Sequence, residues 1–304
     1  MEVGVVYLGV SAAVPAYGRG LPSIAVMYRG LVYLFDVGEG TQERLVEAGL
    51  SPLRVKVVAV THMHGDHFLG LAGLLQSMTM GGRREELFVI GPRGLLEYIE
   101  IVERLTGHVR SFDIVFREVE EGVVYEDNRV VIKAFRVCHG HVAAYGYVFE
   151  EKPRPGRVKL EKLKELGLKP GPYLSRVKRG ESVIVNGVLV RPEDVLEEPR
   201  PGVRVVYTGD TRPCKTVIDV ARGADLLIHE STFLESEASE AHEKGHSTAL
   251  EAGLVAAKAG VKCLALTHFS ARYRELDVFE TEARRNFGNC VYAARPLLIH
   301  PLRL

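Results

Sequence analysis

Three histidines and one aspartate lie within residues 62–67, which read HMHGDH. The apolar segment 55–60 directly precedes them and is typical of a buried strand. Imidazoles and carboxylates are the ligands that zinc and similar divalent metals bind in proteins. Two of the histidines share one face of an extended chain, while Asp66 and the third follow Gly65, which permits a sharp turn. The segment therefore predicts a pair of metals. The alternative, a polar loop that caps the next helix, needs far fewer ionisable side chains.

Polar residues also end four later segments that have the pattern of buried strands. These segments are residues 129–141, 203–210, 225–230 and 261–268. Their final polar residues are His139 and His141, Asp210, His229 and Glu230, and His268. Because open α/β sheets build their sites at the carboxyl ends of strands, we expect these side chains to join the first cluster. One such ending alone would indicate a turn residue, but four together favour a single metal centre.

Seven motifs follow one another along nearly the whole chain. They are LGVSAAVP at 8–15, FDVGEGTQ at 35–42, THMHGDHFLGLAGLL at 61–75, YTGDTRP at 207–213, HESTF at 229–233, HSTALEAG at 246–253 and LTHFSARY at 266–273. HMHGDH resembles the signature of the metallo-β-lactamase superfamily. The full set resembles one branch of it, the ribonuclease Z (tRNase Z) family of tRNA 3′-processing endonucleases. The resemblance implies an α/β fold, the αβ/βα four-layer sandwich, with residues 1–304 as a single catalytic domain.

The resemblance also implies how the ligands divide between two divalent metal ions, with zinc expected and manganese or iron as alternatives. His62, His64 and His139 would hold one ion, Asp66, His67 and His268 the other, and Asp210 would bridge them. His141 is an alternative ligand at this position. The His-Gly pair at the end of the strand favours His139. Asp66 would also orient the attacking hydroxide that such a metal pair supplies at neutral pH.

Two further residues are predicted to assist the chemistry at the metals. The leaving group of this hydrolysis is a ribose oxygen, which benefits from a proton donor. The HST motif of the resembled family indicates His246 as that donor, and Glu230 is placed to orient it and raise its pKa. The alternative is that His246 is an ordinary residue at the start of a helix at 248–258, for which Ser247 or Thr248 already suffices as the cap.

A basic arm interrupts the otherwise neutral chain at residues 152–180. From 152 to 179 there are ten basic residues and two acidic ones, and four prolines divide the stretch into short pieces. Charged runs are usually solvated loops, but phosphate contacts require such a patch. KPGPY at 169–173 also resembles the exosite arm with which the family binds tRNA. The predicted contacts to precursor tRNA are Arg154, Arg157, Lys159, Lys169, Arg176, Lys178 and Arg179 in the arm, with Arg19 and Arg272 outside it.

Composition limits where the chain can act and what it can bind. With 39 basic and 39 acidic residues, any attraction to nucleic acid has to be local. No apolar run is long enough to span a membrane, and the first ten residues resemble a strand rather than a signal peptide. The four cysteines form no CxxC pair and are predicted to be buried or free thiols in the reducing cytoplasm. The family resemblance implies a homodimer. The loop at 15–21 departs from the family's usual Pro-Thr…Arg-Asn pattern, which bears on the role of that loop in placing the substrate.

Local patterns predict several elements around the centre. Residues 24–28 and 31–37 are predicted to form one hairpin, and Asn186-Gly187 is predicted to be the tight turn of another. Helices are predicted at 41–48 and 66–80, the second with apolar residues at helical spacing.

Three other functions are compatible with parts of the sequence. A small-molecule hydrolase of the same superfamily, such as a phosphodiesterase or arylsulfatase, would keep every metal ligand but would not need the arm. A nucleic-acid-binding module with an inactive site would normally lack one or more ligands, and none is missing from this sequence. A glyoxalase-type thioesterase would carry a glutathione pocket near the end of the chain in place of LTHFSARY.

Overall fold

Two seven-stranded sheets form the centre of the computed structural model, which describes residues 3–302. The first sheet contains β1 (Val3–Gly9), β2 (Ser23–Tyr28), β3 (Leu31–Phe35), β4 (Val55–Ala59), β5 (Leu87–Gly91), β6 (Ile114–Glu118) and β16 (Ile299–Pro301), in the spatial order β16-β1-β2-β3-β4-β5-β6. The second contains β7 (Gly122–Glu126), β8 (Val130–Arg136), β9 (Tyr145–Glu151), β12 (Arg204–Tyr207), β13 (Leu226–Glu230), β14 (Cys263–Thr267) and β15 (Cys290–Ala293), in the order β15-β14-β13-β12-β9-β8-β7.

Helices accompany both sheets. The first half of the chain contains α1 (Thr41–Glu47), a 3-10 turn (Pro52–Arg54), α2 (Gly65–Phe68), α3 (Leu71–Met80) and α4 (Leu95–Thr106). The insertion between β9 and β12 contains α5 (Leu160–Glu165), α6 (Leu174–Val177), β10 (Val183–Val185), β11 (Val188–Val190) and α7 (Pro192–Val195). The second half contains α8 (Lys215–Ala221), a 3-10 turn (Glu235–Glu237), α9 (Ala238–Lys244), α10 (Ala249–Ala259) and α11 (Asp277–Arg284). No helix within residues 3–302 combines the length and the apolar character needed to cross a bilayer.

The core between the two sheets is rich in aromatic side chains. Tyr33 of the first sheet meets Phe149 of the second with ring centres 5.1 Å apart, and Phe35 meets Tyr147 at 5.7 Å. A separate apolar cluster fills the space between the other face of the first sheet and helices α1, α3 and α4. Helices α8, α10 and α11 pack against the second sheet in the same way. Both faces of each sheet are therefore buried, which confirms the predicted αβ/βα four-layer sandwich.

Strand direction brings the polar strand ends to one edge. Strands β3, β4 and β5 run parallel to one another, and so do β12, β13 and β14. Strand β9 is antiparallel to both β8 and β12, so β8 runs in the same direction as β12. The carboxyl ends of β8, β12, β13 and β14 consequently lie together, as expected for a site in an α/β sheet.

Both predicted hairpins are confirmed, but the long helix predicted at 66–80 is wrong. Strands β2 and β3 pair across Arg29-Gly30, and β10 and β11 pair across Asn186-Gly187. The chain at 66–80 instead forms α2 and α3, separated at Leu69-Gly70. A Cβ at Gly70 would lie 2.1 Å from the carbonyl oxygen of Gly38, so the helix breaks where its backbone touches the loop after β3.

The prediction that all four cysteines are thiols is also wrong. Cys263 and Cys290 form a disulfide, because they are directly paired on the adjacent strands β14 and β15 with Cα atoms 4.5 Å apart. Cys138 and Cys214 are free thiols.

The insertion between β9 and β12 folds around a small apolar core of its own. Leu163, Val177, Val190 and Val195 are fully buried in it. Its two ends are joined, since the backbone amide of Arg154 donates to the carbonyl of Arg200 at 2.9 Å and the reverse bond has the same length. The segment 152–180 predicted as a basic arm is thus the first part of a compact module, residues 152–200, which we call the arm module.

Candidate metal centre

The candidate ligands follow four different strands. His62 and His64 follow β4, Asp66 and His67 lie in α2, His139 follows β8, Asp210 follows β12 and His268 follows β14. The backbone of His64 is still extended, and the helix begins at the next residue. This change of direction lets one short segment contribute to two ligand groups.

The seven candidates form two groups, with Asp210 between them. The first group is His62, His64, His139 and Asp210, and the second is Asp66, His67 and His268, with the ligand atoms of each group within 4.8 Å of one another. Oδ2 of Asp210 lies 3.7 Å from Nε2 of His62 and 3.4 Å from Nε2 of His67. Its Oδ1 lies 3.2 Å from Nε2 of His268. One carboxylate therefore reaches both groups.

Several atoms at the centre are buried without a hydrogen-bond partner. Among residues 3–302, Nε2 of His62, His67 and His268 and Oδ1 of Asp210 make no hydrogen bond. Buried polar atoms are normally paired, because an unpaired one costs about 1–3 kcal/mol. These atoms belong to the two ligand groups, so the residues fit divalent metal ions that would complete their interactions.

His139 occupies the position that the sequence left open between two histidines. It is buried, its Nε2 lies 3.2 Å from Nδ1 of His64, and its Nδ1 donates to the carbonyl of Gly245 at 2.9 Å. His141 is exposed and lies in neither ligand group. The structure therefore brings His139, and not His141, to the centre.

Burial and charge give two of the ligand histidines opposite pKa shifts. Burial holds the pKa of His62 well below its usual value, and the neighbouring His67 lowers it further. Burial acts in the same direction on His67, but the carboxylates of Asp210 and Asp36 outweigh it and raise the pKa of His67. A metal would find His62 already neutral, whereas binding at His67 displaces a proton.

Asp36 orients the second group, and it is absent from the predicted site residues. It is fully buried just after β3, with a φ of 59°. Its Oδ2 accepts hydrogen bonds from Nδ1 of His67 and from the hydroxyl of Tyr207, both at 2.8 Å, and its Oδ1 accepts one from the amide of Thr61 at 2.7 Å. Such a carboxylate fixes the tautomer and orientation of a metal-binding imidazole. The signal that marked Asp210, an acidic residue after an apolar strand, also applies to Asp36.

The buried Glu230 and the half-buried His246 form a pair beside the ligand groups. Nδ1 of His246 donates to Oε1 of Glu230 at 2.8 Å, and Glu230 also accepts bonds from the amide of Thr211 and the hydroxyl of Thr232. Burial alone would lower the pKa of His246, but the Glu230 carboxylate outweighs it and raises the pKa to about 9. His246 also belongs to a third possible ligand group with Asp210 and His268, although its Nδ1 is engaged by Glu230.

Three of the predicted substrate contacts already have partners within the protein: Arg19 is buried, Arg154 is half-buried and Arg272 is exposed. Arg19 is 4 % exposed and donates to the carbonyl of Tyr273 at 2.5 Å. Arg272 makes a two-pronged ion pair with Glu240, at 2.8 and 2.7 Å. The Nε of Arg154 donates to the buried carboxylate of Glu151 at 2.5 Å, where the arm module leaves β9.

The other six predicted contacts lie on the surface of the arm module. They are Arg157, Lys159, Lys169, Arg176, Lys178 and Arg179. Arg176 and Arg179 share Glu181 as an ion-pair partner, at 2.8 and 3.2 Å. This surface is therefore strongly basic and open to a ligand.

Comparison with known proteins agrees with the geometry. The model of the metallo-β-lactamase superfamily matches residues 18–104. Ribonuclease Z of Methanothermobacter thermautotrophicus is 46 % identical, covering 93 % of this chain and 92 % of that protein, and ribonuclease Z of Bacillus subtilis is 39 % identical, covering 88 % of each. Among solved structures, human tRNase Z, short form, is 25 % identical with a TM-score of 0.73, covering 99 % of this chain and 100 % of that one. The chain therefore belongs to the ribonuclease Z family of the metallo-β-lactamase superfamily.

Proposed function

We propose that this protein is a metal-dependent endoribonuclease that removes the 3′ trailer from precursor tRNA and leaves a 3′ hydroxyl on the tRNA. The observation that carries the proposal is the pair of ligand groups sharing Asp210, in a chain that matches a ribonuclease Z over 93 % of its length. The small-molecule phosphodiesterase or arylsulfatase is not favoured, because neither would use the basic arm module.

The two ligand groups support a site for two divalent metal ions, for which we propose zinc, with manganese or iron as alternatives. His62, His64 and His139 would hold one ion, Asp66, His67 and His268 the other, and Asp210 both. When bound, such a pair lowers the pKa of water toward neutrality and offsets the charge that develops on phosphoryl oxygens.

Asp66 is placed to orient the attacking water. Its Oδ2 accepts a hydrogen bond from the amide of Ala13 at 2.8 Å and lies 3.6 Å from Nε2 of both His67 and His268. Burial opposes ionisation, but the nearby imidazoles of His268 and His67 outweigh it and hold the pKa of Asp66 well below its usual value. Asp66 is therefore a carboxylate at neutral pH and can accept a hydrogen bond from water.

His246 is the proton donor in this proposal. With a pKa of about 9 it is protonated at pH 7, and Glu230 holds its ring through Nδ1. Its Nε2 can then donate to the 3′ oxygen of the tRNA as the bond to phosphorus breaks. Glu230 acts through His246 as a positioning residue.

The arm module supplies the grip on tRNA away from the metal centre. Its exposed guanidinium and ammonium groups suit phosphate contacts, which carry no information about sequence. The six exposed residues are the candidates for these contacts, whereas Arg154 anchors the module to the body.

We further propose that the protein acts in the cytoplasm as a homodimer. Val46, Leu53 and Met80 are 66 %, 39 % and 85 % exposed, on α1, the first 3-10 turn and α3, which contact one another. A partner subunit would cover this apolar face. Light scattering of the eluted protein should give about twice the chain mass, and Met80→Glu should shift it toward the monomer.

Mapping the cut in a 3′-extended precursor tRNA tests the proposed function. Purified protein should cut once, at the 3′ end of the tRNA body, and the Asp210→Ala variant should not cut. An intact precursor combined with rapid hydrolysis of small phosphodiesters would instead favour the small-molecule hydrolase.

A further inference from the structure

A pocket of about 440 Å³ lies beside the metal centre and has no role in the chemistry described above. Its walls are Cys138, Arg212, Pro213, His242 and Glu251. None of these residues belongs to the two ligand groups or to the arm module.

The pocket is tied to the metal centre by hydrogen bonds of the ligand loops. Cys138 immediately precedes His139, and the amide of Arg212 donates to the Cys138 carbonyl at 2.8 Å. The carbonyl of Gly245, which ends α9, accepts a bond from His139 at 2.9 Å, and α9 carries His242. Two ligand loops and one helix therefore hold the pocket in a fixed position relative to the ligand groups.

Arg212 supplies the guanidinium of this pocket. It is half-buried, and within residues 3–302 its guanidinium makes no hydrogen bond or ion pair. Other half-buried and buried arginines are engaged: Arg83 donates to three backbone carbonyls and Arg204 to two. The backbone of Arg212 is fixed by its bond to Cys138, while its guanidinium has no acceptor among residues 3–302. Such a guanidinium is suited to an anionic ligand.

His242 adds an imidazole to the same pocket. Its Nε2 is 2.5 Å from Oε1 of Glu251, and Glu251 is fixed in turn by the capping box with Thr248. Because a carboxylate only accepts, Nε2 donates in this bond, and Nδ1 is a donor to a ligand when the imidazole carries both protons. A fork of guanidinium donors together with a protonated imidazole in the same pocket suits the oxygens of a phosphate, and the volume leaves room for the attached sugar.

We propose that this pocket binds a backbone phosphate of the RNA strand next to the scissile phosphate, with Arg212 as its main contact and His242 as its second. The inference rests on the proposed ribonuclease function. It assigns the alignment of the RNA strand at the metals to this pocket, while the arm module holds the body of the tRNA. A small phosphodiester has no second phosphate, so it gains nothing from the pocket.

Steady-state kinetics of Arg212→Ala on precursor tRNA and on bis-p-nitrophenyl phosphate test the proposal. We expect KM for the precursor to rise about tenfold, the loss of one charge-assisted contact, with little change for the small substrate. Arg212→Lys should recover part of the loss, because it keeps the charge without the fork. Arg222→Ala, which removes an exposed arginine at the other end of α8, is the matched control and should behave as wild type.

A second variant and a salt titration separate this contact from a folding effect. His242→Ala, at an exposed position, should raise KM in the same direction but less. The slope of log affinity against log salt should fall by about one for Arg212→Ala. Precursors with trailers of one and of several nucleotides identify the strand: a penalty confined to long trailers places the trailer in the pocket, and a penalty on both places the tRNA side there.

Two results would overturn the proposal, and they are distinguishable from failure of the proposed function. If Arg212→Ala processed the precursor as well as Arg222→Ala does, the proposed contact between Arg212 and an RNA phosphate would be excluded. Equal losses on both substrates, with metal lost from Arg212→Ala, would make Arg212 a support of the metal centre. If wild-type protein leaves the precursor intact, the proposed function fails and this inference fails with it.

Discussion

The metal centre and the arm module differ in how far their charged side chains are exposed to solvent. At the centre most of the ionisable groups are buried, and several are oriented by a second group, as Asp36 orients His67 and Glu230 orients His246. In the arm module the charged groups lie outside a small apolar core and face solvent. A buried and oriented group suits catalysis, which depends on position to a fraction of an ångström. An exposed charge suits attraction, which tolerates movement. We therefore expect changes at the centre to lower kcat and changes in the arm module to raise KM.

Asp210→Ala should have the largest effect, because one carboxylate reaches both ligand groups. We expect cleavage of precursor tRNA to fall by about 10³-fold or more, as both metal-dependent contributions weaken together. Elemental analysis should show that dialysed wild-type protein holds about two metals per chain and that the variant holds fewer. Equal, mild losses for substitutions at all seven ligand positions would contradict a bridging role for Asp210.

His246→Ala should lower kcat for precursor tRNA by about a hundredfold, the range for losing a general acid. The loss should shrink for bis-p-nitrophenyl phosphate, because p-nitrophenolate leaves without a proton. Metal content is the control and should match wild type. A variant that loses metal, or that is equally slow on both substrates, would make His246 a ligand or a structural residue.

Glu230→Gln should change the pH dependence of kcat more than its maximum. The Glu230 carboxylate raises the pKa of His246 to about 9, so the donor is protonated below that pH and is lost as pH rises through it. Without the carboxylate the pKa of His246 falls, and the alkaline decline of kcat should begin at lower pH. The profile of kcat against pH measures this shift. If kcat of the variant declined at the same alkaline pH as wild type, His246 would not be the group whose deprotonation lowers kcat.

Substitutions of two arginines of the arm module should have smaller effects, one on the salt dependence of tRNA binding and the other on thermal stability. Arg157→Ala removes an exposed cation and should lower the salt slope of tRNA binding by about one without changing thermal stability. Arg154→Ala breaks an ion pair with the buried Glu151 and should lower the melting temperature while leaving the slope nearly unchanged. Binding titrations at several salt concentrations and thermal melts distinguish the two. The reverse pattern would mean that Arg154 faces the tRNA.

The sequence predicted those features that depend on local pattern. Apolar strands with polar ends marked the positions of all seven candidate ligands, and Asn-Gly marked the hairpin of the arm module. Features that depend on contacts between distant segments were missed. The break at Gly70 arises from contact with Gly38, and the disulfide arises because β14 and β15 are neighbours. Asp36 orients His67 from another strand, and the motif around it does not show which ligand it holds.

Deletion of the arm module tests most directly whether catalysis at the metal centre is separate from tRNA binding by the arm module. Residues 155–199 can be replaced by a short glycine linker, because Arg154 and Arg200 pair through their backbones where the module begins and ends. Steady-state kinetics should show KM for precursor tRNA raised by about tenfold or more, as several phosphate contacts are lost, with hydrolysis of bis-p-nitrophenyl phosphate unchanged. Unchanged processing of precursor tRNA would show that the module is a solvated insertion with no role in tRNA binding. Equal loss of both activities would show that the module supports the metal centre and that the two functions are not separate.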